Sequence, residues 1–222
     1  MTTLPLVFDH GHLFVKLEGH LWLFDTGAPT SFGAAESLRI VGEQFGLSSS
    51  YFGLTAATLS RYVGVECSGL LGADFIGRFD HILDTAGGKL TLSKDELLHS
   101  GQSVRLDQFM GIPIVTASVG GKGHRMFFDT GAQISYFQLD SLAEFPAAGN
   151  VTDFFPGFGQ FQTDTHEVPI TLGGISFTLR CGSLPGLLGA TLMIAGTQGI
   201  IGNQILNDRI IGFFPRRGLL CL

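Results

Sequence analysis

Two aspartates stand in matching surroundings. The segment Leu21-Trp-Leu-Phe-Asp25-Thr-Gly-Ala-Pro-Thr-Ser31-Phe32 aligns without a gap on Arg125-Met-Phe-Phe-Asp129-Thr-Gly-Ala-Gln-Ile-Ser135-Tyr136, at an offset of 104 residues. A pair of carboxyls has chemistry that one carboxyl lacks. Two acids side by side cannot both ionise without repulsion, so one pKa rises and the pair holds a single proton over a wide pH range. The ionised member is then a base for water, and the protonated member an acid for a developing oxyanion. Asp25 and Asp129 are read as such a coupled dyad. A strand-end turn, with Asp capping the bend and Gly supplying positive φ, accounts for one copy but not for the repetition.

The flanking residues fit the same reading. Thr26 and Thr130 carry β-branched hydroxyls able to bond across to the opposing loop, as scaffold rather than nucleophile. Gly27 and Gly131 let the two backbones approach the dyad where a Cβ would obstruct. A second landmark follows in each half: Gly69-Leu-Leu-Gly72-Ala-Asp-Phe-Ile76 matches Gly199-Ile-Ile-Gly202-Asn-Gln-Ile-Leu206 at an offset of 130 residues, so the second half carries 26 more residues between its landmarks. Such internal repetition governs the whole architecture.

On these motifs the chain resembles the aspartic peptidases, and its Asp-Thr-Gly-Ala form is more similar to the retroviral (retropepsin-like) branch than to pepsin. Two retropepsin-sized lobes are joined in one chain, as in pepsin-like enzymes. The resemblance implies a mainly β, acid-protease fold of two similar closed β-barrel-like lobes related by a pseudo-two-fold. It also implies a cleft between them and hydrolysis of peptide bonds in extended substrates. Leu70-Leu71-Gly72 and Ile200-Ile201-Gly202 are then the segments that brace the catalytic loops. The Phe- and Gly-rich run Phe154–Ile170 resembles a retropepsin flap, with Gly157, Phe158 and Gly159 placed against substrate, as are Ala28 and Ala132. The corresponding stretch of the first half, Leu47–Ala57, holds one glycine and is expected to form a shorter or differently shaped cover.

The elements that must position these residues are mostly strands. Leu13–Phe24 and Ile114–Phe128 each read as a hairpin, turning at Glu18-Gly19 and Gly120-Gly121, that delivers the chain into Asp-Thr-Gly. Short helices are expected at Gly33–Leu38, Asp140–Phe145, Ala73–Ile76 and Asn203–Leu206. The lobes are placed at 1–95 and 104–222 with a polar linker over 96–103, and Leu4–Phe8, Leu90–Ser93, Val104–Asp107 and Leu219–Leu222 are strands suited to pairing between lobes.

Composition agrees with a turn-rich β protein. Of 222 residues 45% are hydrophobic, 14% charged and 32 are glycine, with no collagen period. A net charge of −6 with 13 Lys+Arg offers no basic face for a phosphate backbone, so no nucleic-acid partner is expected. The run Cys181–Asn207 lacks charge over 27 residues, but its glycines, Pro185 and polar residues suit turns and buried strands better than a membrane span. Cys67, Cys181 and Cys221 have no metal or redox spacing and read as buried apolar residues. Asp9-His10-Gly-His12 reads as a turn, and neither metal nor cofactor is required. The N-terminal residues show no basic region or cleavage site of a secretory signal, which points to the cytoplasm. With both aspartates in one chain, the expected form is a monomer acting on a peptide or protein substrate. The competing reading is a catalytically silent module that holds a peptide in the same cleft.

At Ala28 and Ala132 pepsin-like enzymes carry Ser or Thr, so each carboxylate lacks a hydroxyl donor and its anion is less stabilised. The pH–rate profile is therefore expected to peak in mildly acid solution; a peak in strongly acid solution contradicts this.

Overall fold

The computed structural model describes residues 1–138 and 140–222. The protein is mainly β, with only short helical segments among the described residues. The two hairpins form where the residue pattern placed them. His12–Leu17 pairs with His20–Phe24, and Ile112–Val119 with Lys122–Phe128. Glu18 and Gly19 have φ of 50° and 87°, and Gly120 and Gly121 of 57° and 78°. Two successive left-handed residues match the right-handed twist of the flanking strands.

Each Asp-Thr-Gly is gripped by the second landmark of its own half. Phe24 lies parallel to Leu71, and Phe32, on the return, antiparallel to Leu70. In the second half Phe128 lies parallel to Ile201 and Tyr136 antiparallel to Ile200. Each loop is therefore a bend between two strands that share one neighbour. Ala73–Ile76 and Asn203–Leu206 are single helical turns directly after each Gly-Φ-Φ-Gly.

A ten-stranded sheet crosses from one half to the other. Its first-half edge is Asp80–Asp84, which pairs antiparallel with Ile210–Phe214 in the register His81↔Phe213, Ile82↔Gly212, Leu83↔Ile211. Outside this joint lie Lys89–Ser93 and then Thr2–Asp9 on one side, and Leu219–Cys221 and then Ser103–Arg105 on the other. An eight-stranded sheet belongs to the second half alone and ends on the hairpin Ala147–Phe155 with Gly159–Leu172. That hairpin, the strand Ile175–Gly182 and the helix Gly186–Ile194 take up the extra length between landmarks.

The segment Gly33–Leu38 is not helical: Phe32–Gly33 and Ser37–Ile40 are strands. Gly33 sits so close to Trp22 that an added Cβ would lie 2.4 Å from its ring, while Leu38 and Ile40 point alternately into the core. Period-two burial wins over helix here. The expected helix at Asp140–Phe145 is a 3-10 turn, Asp140–Glu144. Two helices, Ala56–Val63 and Gly186–Ile194, were not anticipated. The three cysteines are buried and unpaired, and no helix among the described residues is long and apolar enough to cross a membrane.

One apolar core runs through both halves, from Trp22, Phe24 and Phe79 to Phe128, Phe213 and Leu179. Phe24 and Phe128, each one residue before its aspartate, pack on the joint, against His81 at 5.6 Å and Phe213 at 5.7 Å between ring centroids. Beside them Asp80 is fully buried, accepting hydrogen bonds from Arg216 Nη2 at 3.1 Å, Arg217 Nη2 at 2.5 Å and the Leu97 amide at 3.0 Å. Removing one member of a buried ion pair strands the other's charge. Asp80→Ala is expected to cost about 3 kcal/mol in urea denaturation; a change within error would show that the pair does not secure the joint.

Candidate active site

The two Asp-Thr-Gly loops meet face to face. The Thr26 amide donates to Thr130 Oγ1 at 3.1 Å and the Thr130 amide to Thr26 Oγ1 at 3.0 Å. Each hydroxyl then donates across the junction to the carbonyl before the opposite aspartate, Thr26 to Phe128 and Thr130 to Phe24, both at 2.6 Å. Both threonines are buried, so these groups have no water to turn to, and leaving any of them unpaired would be costly. Four reciprocal bonds fix the relative position of the loops.

Backbone bonds fix each loop to its own half in parallel fashion. Asp25 N donates to Leu71 O at 3.0 Å and Asp129 N to Ile201 O at 2.9 Å; Ala73 N donates to Ala28 O at 2.8 Å and Asn203 N to Ala132 O at 2.9 Å. The serine of each repeat closes the bend, Ser31 Oγ accepting from Gly72 N at 2.9 Å and Ser135 Oγ from Gly202 N at 3.1 Å. Asn203, which stands where the first half has Ala73, also reaches between halves, its Nδ2 donating to the Gly11 carbonyl at 2.8 Å.

The carboxyls themselves are in contact range. A Cβ added to Gly27 would stand 2.2 Å from Asp129 Cγ, and one added to Gly131 would stand 2.4 Å from Asp25 Cγ. Asp25 Oδ1 accepts from the Gly27 amide at 2.8 Å and the Ala28 amide at 3.0 Å, and Asp129 Oδ1 from the Gly131 amide at 2.9 Å. Burial, then the Asp129 charge and a hydrogen bond to Asp129, hold the Asp25 carboxyl well above the usual carboxylate range. Burial raises Asp129 as well, but its bond with Asp25 and the loop amides act in the opposite direction. Both carboxyls are thus pushed toward the protonated form, Asp25 well above its ordinary range, and the pair retains a proton between them. Activity that needs one proton on the pair falls off in acid as the second carboxyl is protonated and in alkali as the shared proton is lost, and the upward shift of both carries that window away from strong acid.

A cavity of about 420 Å³ opens over the dyad, within the range of small-ligand clefts. Asp25, Gly27 and Ala28 line it from the first half, and Asp129, Gly131 and Ala132 from the second. Its cover comes from two hairpins. Pro156-Gly157-Phe158 turns the long one, with φ of 79° at Gly157 and 95° at Gly159. The first half supplies a short one, Ser50–Tyr51 with Leu54–Thr55, turning at Phe52 and Gly53 with φ of 46° and 77°. The tips touch: an added Cβ on Gly157 would be 3.6 Å from Phe52 Cβ. Gly157, Phe158 and Gly159 form the tip and do not line the cavity; Phe158 is 42% exposed and rests edge-on against Phe161. The lining falls instead to Phe154, Phe155, Pro156 and Phe161, with Tyr51 and Phe52 opposite.

Met110 and Ile112 also line the cavity, a contribution the motif comparison missed. In sequence Met110-Gly111-Ile112 shares only its glycine with His10-Gly11-His12, but the two turns correspond in backbone, His10 and Met110 both being left-handed at φ of 47° and 52°. His12 is buried, its Nδ1 3.2 Å from the Gly131 carbonyl, and burial lowers its pKa. No cluster among the described residues has the make-up of a metal site. No protein-family model matches the chain, and no match to a curated protein reaches significance.

Gly131→Ala tests the close approach directly. Its Cβ would displace the Asp25 carboxyl, and turnover is expected to fall roughly a hundredfold with the circular dichroism spectrum unchanged; full turnover would show that the loops are not in contact.

Proposed function

We propose that this chain is an aspartic endopeptidase of the acid-protease fold, with two barrel-like lobes, 1–95 and 104–222, related by a pseudo-two-fold through the dyad. The observation that carries the reading is the reciprocal threonine bonding beneath two carboxyls in contact, both shifted upward by burial. The mirrored strand order about the Ile82↔Gly212 pair supports the same symmetry.

The chemistry follows from a proton shared by the pair. An extended peptide lies along the cavity beneath the paired hairpins with its scissile carbonyl above the dyad. Asp129 takes a proton from a water held between the carboxyls, the water oxygen bonds to the carbonyl carbon, and Asp25 gives its proton to the carbonyl oxygen. The resulting gem-diol is neutral, with Asp129 now protonated and Asp25 ionised. Asp129 then protonates the amide nitrogen, the carbon–nitrogen bond breaks, and Asp25 recovers a proton from a diol hydroxyl. The dyad returns to its starting state, with no electron transfer and no added co-reactant.

Thr26 and Thr130 act by position, holding two groups that repel when both are charged. The apolar lining excludes water from all but the attacking position and strengthens the charges within.

A peptide-library digest with and without pepstatin, a hydroxyl-bearing analogue of the gem-diol, tests the proposal. Cleavage blocked by pepstatin is expected, and Asp25→Asn or Asp129→Asn should each lower it by more than about a hundredfold without unfolding the chain. Undiminished cleavage by Asp129→Asn would refute the two-carboxylate mechanism.

A further inference from the structure

The cleft contains a third carboxylate that the hydrolysis does not use. Asp153 lies on the long hairpin, opposite Phe161 in the strand register, and lines the same cavity as the dyad. On the same side the cavity is lined by one apolar cluster, Phe155, Phe161, Leu184, Ile200 and the ring of Tyr136. Asp153 Oδ2 accepts a hydrogen bond from the Tyr136 hydroxyl, and Oδ1 accepts from the Phe154 amide at 2.7 Å. These bonds aim the group but do not neutralise it, and no Lys or Arg among the described residues pairs with it. Its charge is felt at the dyad, where it raises the Asp129 carboxyl.

The feature is one-sided. Tyr136 corresponds in the repeat to Phe32, which has no hydroxyl and is fully buried. The first-half wall, formed by Leu23, Leu54, Tyr51 and Leu70, contributes no charged side chain beyond Asp25. A carboxylate on the wall of a largely apolar cavity costs free energy unless a cation meets it, and one kind of amino-acid side chain offers both an apolar stem and a cationic end.

We infer that Asp153 is a specificity-determining residue, selecting substrates that place a lysine or arginine in the second-half pocket beside the scissile bond. The side chain's methylenes lie along Phe161, Leu184 and Ile200 while its cation meets Asp153. Glutamate and aspartate are rejected there by repulsion. This inference rests on the peptidase reading for its substrate, but binding can test it separately from cleavage.

The probes are peptides of one fixed sequence that vary only at the residues flanking the cut, as lysine, norleucine or glutamate. The wild-type chain should cleave the lysyl peptide with a kcat/KM roughly tenfold or more above the norleucyl one, and the glutamyl peptide least. Asp153→Asn keeps an acceptor for Tyr136 and should bring the lysyl-to-norleucyl ratio close to one; Asp153→Lys should favour the glutamyl peptide. Calorimetric binding of the same peptides to the Asp25→Asn chain should follow the same order without any cleavage. A wild-type ratio of one or less, or the same ratio in Asp153→Asn, overturns the inference. Lysyl-selective binding without cleavage by the wild-type chain would instead sustain the pocket and overturn the peptidase reading.

Discussion

Two carboxyls that repel one another are held together on the floor of one cavity, and the rest of the structure depends on that constraint. Left to themselves the loops bearing Asp25 and Asp129 would separate or admit solvent. The threonine hydroxyls prevent this because each bonds both to the opposing amide and to the opposing carbonyl. Burial and the opposing charge push the Asp25 carboxyl upward, the direction expected of a pair that relieves repulsion by keeping a proton rather than by moving apart. Burial is essential on both counts: it strengthens the bonds and makes the second ionisation costly.

Each layer outside the loops serves their rigidity. Phe24 and Phe128 anchor in the shared core against the joint strands, and the buried Asp80 with Arg216 and Arg217 ties the halves at the same level. Above the dyad the construction changes character. The covering hairpins meet through Phe52 and Gly157 with few polar contacts, so the floor of the cleft is fixed by hydrogen bonds and its cover by apolar contact.

Much of the floor was legible in the sequence because its geometry is local and repeated. The hairpins, the Asp-Thr-Gly loops and the bracing Gly-Φ-Φ-Gly segments are short patterns whose function depends on neighbours within the repeat. What was not legible lacked such a pattern. Ala56–Val63 buries only Leu59 and Val63, too little to show helical period, and Gly186–Ile194 is apolar on all sides, leaving Leu187, Met193 and Ile194 exposed, so it has no face to detect. Gly33–Leu38 misled because Gly33 answers to Trp22 rather than to its own neighbours. Asp153 acquires meaning only when the fold brings Tyr136 to it, and Phe158, expected against substrate, lies at the hairpin tip while Phe154, Phe155 and Phe161 line the cavity.

The most direct test of the central claim is a carbon-13 NMR titration of the aspartate carboxyls, with Asp25 and Asp129 assigned by substitution. The account predicts that Asp129 ionises first and that Asp25 keeps its proton far above the ordinary carboxylate value of about 4. Two independent ionisations near that ordinary value would contradict it, because carboxyls that lose their protons separately are not sharing one.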